Sequence, residues 1–112
     1  FQTRIIIVEK QVCMKLILNR LLHKLGYTNV TICNNDSEAY KLLLRENYTF
    51  DIIFTNSLQL AQQIKLDNLH IKVVLTSASS DNKKFDASLF NEKLQIPVQI
   101  QDLKHILEQA SY

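Results

Sequence analysis

Residues 51–56 read Asp-Ile-Ile-Phe-Thr-Asn. The run is apolar without alternation, is entered from a polar residue and ends on an amide. It is too short for a helix and lacks the in-out pattern of a strand with one wet face. It therefore fits a strand covered on both sides, the kind found at the centre of parallel sheets. Such a sheet needs helical crossovers, and the flanking segments supply them. Arg4–Val8 (Arg-Ile-Ile-Ile-Val) is another doubly covered strand. From Val12 to Leu25, the residues Met14, Ile17, Leu18, Leu21 and Leu25 recur at helical spacing, and Gly26 stops the helix as a left-handed cap. Asn29–Cys33 is a second short strand. Asn34-Asn35-Asp36-Ser37 then breaks the chain, with Asp36 or Ser37 placed to cap a helix through Ala39, Leu42 and Leu43.

Beyond Asn56 the segments shorten. Ser57 can cap a helix with Leu58, Ala61 and Ile64 on one face. Ile71–Leu75 is a fourth strand, ending in Thr76-Ser77-Ala78-Ser79. The polar stretch Ser80–Lys84 leads to a short or irregular helix with Phe85, Leu89 and Phe90. Lys93–Ile96 is a weak fifth strand closed by Pro97, and a last helix carries Ile100, Leu103, Ile106 and Leu107. Five strands alternating with helices predict a three-layer α/β domain. Its parallel sheet takes the flavodoxin-like order 2-1-3-4-5, with shortened third and fourth helical regions. In that order the carboxyl ends of strands one and three meet at the switch point, where open α/β sheets hold their ligands. Glu9, Lys10 and Asn56 are expected to share that crevice, with Thr76 close by.

The 112 residues make one domain, read as 1–112, with no internal repeat, linker or low-complexity segment. A net charge of +2 is too small to point to nucleic acid. No apolar run reaches the roughly 18 residues of a membrane span, and no signal-peptide pattern appears. A cytoplasmic domain without direct membrane contact is expected. The chain opens on Phe1 without an initiator methionine, which suggests a domain excised from a larger protein whose anchor or catalytic partner lies elsewhere. Cys13 and Cys33 fall in segments that read as buried, so reduced core thiols are expected rather than a disulfide framework.

In order, Arg4-Ile-Ile-Ile-Val-Glu-Lys10, Leu21-Leu-His-Lys-Leu-Gly-Tyr27, Cys33-Asn-Asn-Asp-Ser-Glu-Ala39 and Phe50-Asp-Ile-Ile-Phe-Thr-Asn56 resemble the response-regulator receiver domain. Leu75-Thr-Ser-Ala78 is similar to that family's fourth-strand ending, and Ile96-Pro97-Val98 to its Lys-Pro turn. Receivers accept a phosphoryl group on an Asp at the end of strand three. Two acids after strand one help to hold Mg²⁺, a Ser/Thr follows strand four, and a Lys precedes the Pro. By this resemblance the acceptor position is Asn56, the acidic pair is Glu9 and Lys10, the lysine position is Ile96, and Thr76 alone is retained. A stretch between Asn56 and Thr76, including the family's Met-Pro loop, is missing.

The chemistry of those replacements is unfavourable to phosphotransfer. An acyl phosphate needs a carboxylate nucleophile and cations to neutralise the transferring group, and an amide has no anionic form to offer. Mg²⁺ needs hard anionic oxygens, and Glu9 stands beside the ammonium of Lys10. The resemblance thus implies a non-phosphorylatable receiver-like domain, not an enzyme, with no metal or other cofactor. Its role would be protein–protein interaction or regulation in two-component or phosphorelay signalling, within a parent such as a hybrid histidine kinase. Lys10 is expected to fill the place of the metal by pairing with Glu9 or Asn56; otherwise it points into solvent. Asn56 is followed by Ser57, a small residue that permits slow deamidation to Asp, yet Lys10 and Ile96 would remain.

Lys15, Arg20, His23 and Lys24 form a basic row on the first helix. It is either a solvated face or, by the resemblance, a docking surface for a histidine kinase, a phosphotransfer domain, a response regulator or a neighbouring domain of the same chain. The family's dimers and partners use helix four, strand five and the last helix, which makes Phe85, Phe90, Ile100 and Leu103 candidates for core or interface and leaves a homodimer open. Two other functions fit less well. A flavodoxin-like cofactor binder needs phosphate-cradling residues after strand one, and Glu9-Lys-Gln-Val-Cys13 has no Gly, Ser or Thr. A phosphocysteine carrier needs its thiol in that loop, whereas Cys13 falls in the first helical turn. His23, His70 and His105 lack zinc spacing, and Lys83-Lys84 reads as solvated.

Overall fold

The computed structural model describes residues 3–45, 49–77 and 88–109. Along them run β1 (Ile5–Val8), α1 (Val12–Lys24), β2 (Val30–Cys33), α2 (Asp36–Arg45), β3 (Ile52–Thr55), α3 (Leu58–Leu66), β4 (Lys72–Ser77), β5 (Glu92–Gln95) and α4 (Ile100–Gln109). The strands form one sheet in the order β2-β1-β3-β4-β5, and every pairing is parallel. This is the predicted flavodoxin-like arrangement. Ala78, Ser79, the 80–84 stretch with Lys83 and Lys84, and Phe85 lie outside the described residues, whereas Leu89 and Phe90, expected on the same short helix, lie in a turn and the segment leading to β5.

The two-residue period of the strands divides the interior into two layers. Ile5, Ile7, Ile52 and Phe54 face α1 and α4, where Leu18, Leu22, Leu103 and Leu107 meet them. Ile6, Val8 and Ile53 face α2 and α3 and pack on Ala39, Leu43, Ala61 and Ile64. All four residues of β1 and of β3 are buried, which is why those segments contain no polar alternation. Complete burial of a side chain such as Phe54 or Ile53 stabilises the fold by roughly 1.5–3 kcal/mol, so the central pair of strands anchors both layers.

The helix ends follow local chemistry. Gly26 has φ 98°, a conformation that a Cβ would oppose. It lets the Gly26 N–H reach the His23 carbonyl at 3.0 Å and the Tyr27 N–H reach Leu22 at 2.9 Å, and Tyr27 then turns into the core. At the start of α2 the cap is Asn35, not Asp36 or Ser37. Its Oδ1 accepts from the Glu38 N–H at 2.9 Å while its Nδ2 donates to Glu38 Oε2 at 3.1 Å. Ser57 caps α3 as expected, accepting from Leu60 N–H at 3.2 Å. On α3 the buried row is Leu60, Ala61 and Ile64, whereas Leu58 is 51% exposed. β4 runs past Leu75 to Ser77 because Thr76 and Ser77 pair with Leu94 and Gln95 of β5.

Helix α1 departs most from its sequence reading. Its buried residues are Leu18 and Leu22, one helical turn apart, while Ile17, expected inside, is 48% exposed. Cys13, expected to be buried, is exposed; Cys33 is buried as expected. Phe90 and Leu103, candidates for core or interface, are core residues at 4% and 0% exposure. They fill the α2–α3 and α1–α4 layers respectively, which removes them from any docking face. Ile100 is half-buried.

Candidate functional site

The carboxyl ends of β1, β2 and β3 open onto a cleft of about 670 Å³. Glu9 and Lys10 enter it from β1, Asn34 to Ser37 from the turn after β2, and Asn56 and Ser57 from the end of β3. The expected meeting of Glu9, Lys10 and Asn56 is therefore present. Thr76 does not line this cleft. It is 8% exposed and lies one strand over, in a gap of about 10 Å³ that it shares with Glu9, Met14 and Phe54. Ile96 is further out still: its backbone N–H donates to the Ser77 carbonyl at 2.9 Å, and it is not among the cleft residues.

One wall of the cleft was not foreseen from sequence. The Asn34–Ser37 turn reads as a chain break and a cap, but the β2-β1-β3 order sets it directly beside the end of β1. Asp36 accepts a hydrogen bond of 2.5 Å from the Ser57 hydroxyl, so the β2–α2 and β3–α3 turns are tied together across the cleft floor. Ser57 is held again by its backbone N–H, which donates to Thr55 Oγ1 at 3.0 Å. The signal for this was the strand order, which predicts which loops become neighbours.

Lys10 does not make the expected pair. Its side chain is exposed and forms no hydrogen bond or ion pair with Glu9, Asn56 or any other described residue. A long lysine beside open solvent loses more by desolvation and ordering than a half-exposed carboxylate returns. The cation that does bridge the cleft rim is Lys15, which donates to Asn34 Oδ1. Among the described residues no three His, Cys, Asp or Glu side chains gather in a way that could hold a metal ion. The cleft carboxylates are Glu9 and Asp36, and one Asp36 oxygen is occupied by Ser57. That donor set, with Lys10 beside it, fits Mg²⁺ poorly. Beside the cleft, burial pushes the Cys33 thiol pKa up, and the nearby Glu38 carboxylate adds to the effect.

Next to the cleft, the solvent side of the first turns of α1 carries exposed apolar residues. Val12 is 64% exposed and Leu16 59%. Cys13, Leu16, Ile17, Arg20 and Leu21 line a shallow groove of about 310 Å³. Of the basic row, Arg20 borders this groove, Lys24 is exposed, and Lys15 turns away to Asn34. His23 Nδ1–H donates to the Asn19 carbonyl at 2.8 Å. Between Glu9 and Asp36 the sequence contains no acidic residue, so α1 itself combines exposed aliphatic surface with basic side chains and carries no carboxylate.

No family model matches the sequence, and neither does any curated protein. Solved structures do match. A response regulator from Thermotoga maritima superposes with a TM-score of 0.83 at 23% identity, covering 98% of this chain and 98% of its own. The response regulator TrrA from the same organism, in complex with Mg²⁺-BeF, has a TM-score of 0.83 at 20% identity, with 97% of this chain and 99% of that chain covered. The signal receiver domain of an HD domain-containing protein from Pseudomonas fluorescens Pf-5 gives 0.81 at 21% identity, with 98% and 94% covered. The fold is that of the response-regulator receiver domains. Within the receiver fold, the cleft at the ends of β1 and β3 lies at the switch point of the sheet. No helix among the described residues is long and apolar enough to cross a membrane.

Proposed function

We propose that this chain is a receiver-like domain that does not take up phosphate and works by binding other proteins in two-component or phosphorelay signalling. The observation that carries the reading is Asn56, an exposed amide at the carboxyl end of the central strand β3. Phosphoryl transfer to that position needs an anionic oxygen nucleophile and a cation beside it. The cleft supplies an amide, the carboxylate Glu9, a solvent-directed Lys10 and an Asp36 already engaged by Ser57. Ile96, where the resemblance places a lysine, is aliphatic and outside the cleft. The domain is then an adaptor, cytosolic and part of a larger signalling chain, whose state no phosphoryl group can bias.

The surface that suits an adaptor is the exposed apolar and basic face of α1, beside the cleft. A helix with apolar residues on nearly every side of its first turns lacks the wet face of an ordinary surface helix. Two measurements test the reading. Incubation with a small acyl-phosphate donor and Mg²⁺, read by intact mass, leaves the protein unmodified; a stoichiometric gain of one phosphoryl group on the wild-type chain overturns it. Calorimetric titration with a purified histidine phosphotransfer domain gives binding that is insensitive to the phosphodonor and is weakened by Leu16→Glu. Binding that appears only after phosphodonor treatment contradicts it.

A further inference from the structure

Asn56-Ser57 is the bond of this chain most prone to deamidation by sequence, since no asparagine precedes a glycine and no other precedes a serine. In that reaction the backbone nitrogen of residue 57 loses its proton and attacks Asn56 Cγ. The Cγ–Nδ2 bond breaks, ammonia leaves, and water opens the resulting succinimide to aspartate or isoaspartate. Asn56 is exposed to the water and base this requires. The attacking nitrogen, however, is occupied: its N–H donates to Thr55 Oγ1 at 3.0 Å. The serine hydroxyl, which in a free chain can assist by polarising the amide, is also taken. It donates to Asp36 Oδ2 at 2.5 Å and accepts from Leu60 N–H at 3.2 Å. Thr55 is fully buried, at 0% exposure, so its hydroxyl is a fixed acceptor and not a mobile one.

We infer that the buried Thr55 hydroxyl is a guard that keeps position 56 an amide, by holding the one nitrogen able to convert it into a carboxylate. Its biological meaning rests on the phosphate-silent reading above, because aspartate at 56 is the change that would return an acid to the strand end. Its chemistry does not depend on that reading.

The test is the rate of conversion at residue 56, followed at 37 °C and mildly alkaline pH. Peptide mapping reads the one-nucleon mass gain and an isoaspartate assay identifies the product. Three proteins are compared: wild type, Thr55→Val and Thr55→Ser. Losing the hydroxyl raises the rate roughly two- to ten-fold, the kinetic equivalent of one ordinary hydrogen bond, while Thr55→Ser, which keeps the acceptor, stays near wild type. Equal rates in wild type and folded Thr55→Val overturn the inference. Should Thr55→Val not fold, the wild-type chain in denaturant decides: it must convert at 56 faster than the folded chain, and equal rates there also overturn the guard. None of these outcomes bears on whether the domain takes phosphate, which the phosphodonor experiment reads separately.

Discussion

Replacing Ser57 by alanine removes two bonds at the cleft floor at once. The hydroxyl caps α3 through Leu60 N–H at 3.2 Å, and a cap of this kind is worth about 1 kcal/mol. It also donates to the Asp36 carboxylate at 2.5 Å, a charge-assisted bond. Such bonds reach about 1.5–3 kcal/mol when fully enclosed. Asp36 and Ser57 are both half-buried, so solvent screening reduces this one to about 1 kcal/mol. The sum is about 2 kcal/mol, which in a domain of this size lowers Tm by roughly 8 °C. Urea denaturation and thermal melts of Ser57→Ala, Asp36→Ala and the double variant read both the loss and the coupling. The coupling between the two positions is expected at about 1 kcal/mol. Destabilisation below about 0.5 kcal/mol, or strict additivity in the double variant, refutes the view that this contact ties the β2–α2 and β3–α3 turns into one cleft.

Three further outcomes are expected. Gly26→Ala places a Cβ at φ 98° and costs about 1–2 kcal/mol in the same denaturation assay, whereas an unchanged midpoint contradicts the cap geometry. Leu16→Glu leaves stability within about 0.5 kcal/mol of wild type because its side chain is largely in water, so any lost partner binding reports the surface itself. Cys33 gives a pH dependence: burial first and Glu38 second raise its pKa above the ordinary 9.0. Its contribution is therefore fully present below the unfolded value and declines as pH rises through the higher folded value. The stability gap between wild type and Cys33→Ala should narrow on passing from neutral to strongly alkaline buffer, and a gap that widens refutes the assignment.

The strands, their order and the meeting of Glu9, Lys10 and Asn56 were legible because each rests on a local pattern combined with a chirality rule. Doubly covered strands exclude polar residues, and right-handed crossovers leave few arrangements of five of them. The rotation of α1 was not legible. Its first turns carry apolar residues on almost every side, so periodicity alone cannot choose between Ile17 and Leu22 for the core; the packing surface offered by β1, β3 and α4 chose Leu22. The same ambiguity put Cys13 on the wrong side and hid the exposed row of Val12, Leu16 and Ile17. For Phe90 and Leu103 core and interface both stayed open, because hydrophobicity looks the same in a core and in a docking site; packing placed them in the core.

By itself, then, the chain specifies that an amide and not an acid stands at the end of the central strand, because residue identity is independent of packing. Which groups surround that amide was decided by tertiary structure. The loop carrying Asn34, Asn35 and Asp36 is distant in sequence and becomes a wall only through strand order. Lys10 remained in solvent because no enclosed partner compensates its desolvation. Thr55 reached the Ser57 N–H because the turn into α3 brings its hydroxyl back over the chain.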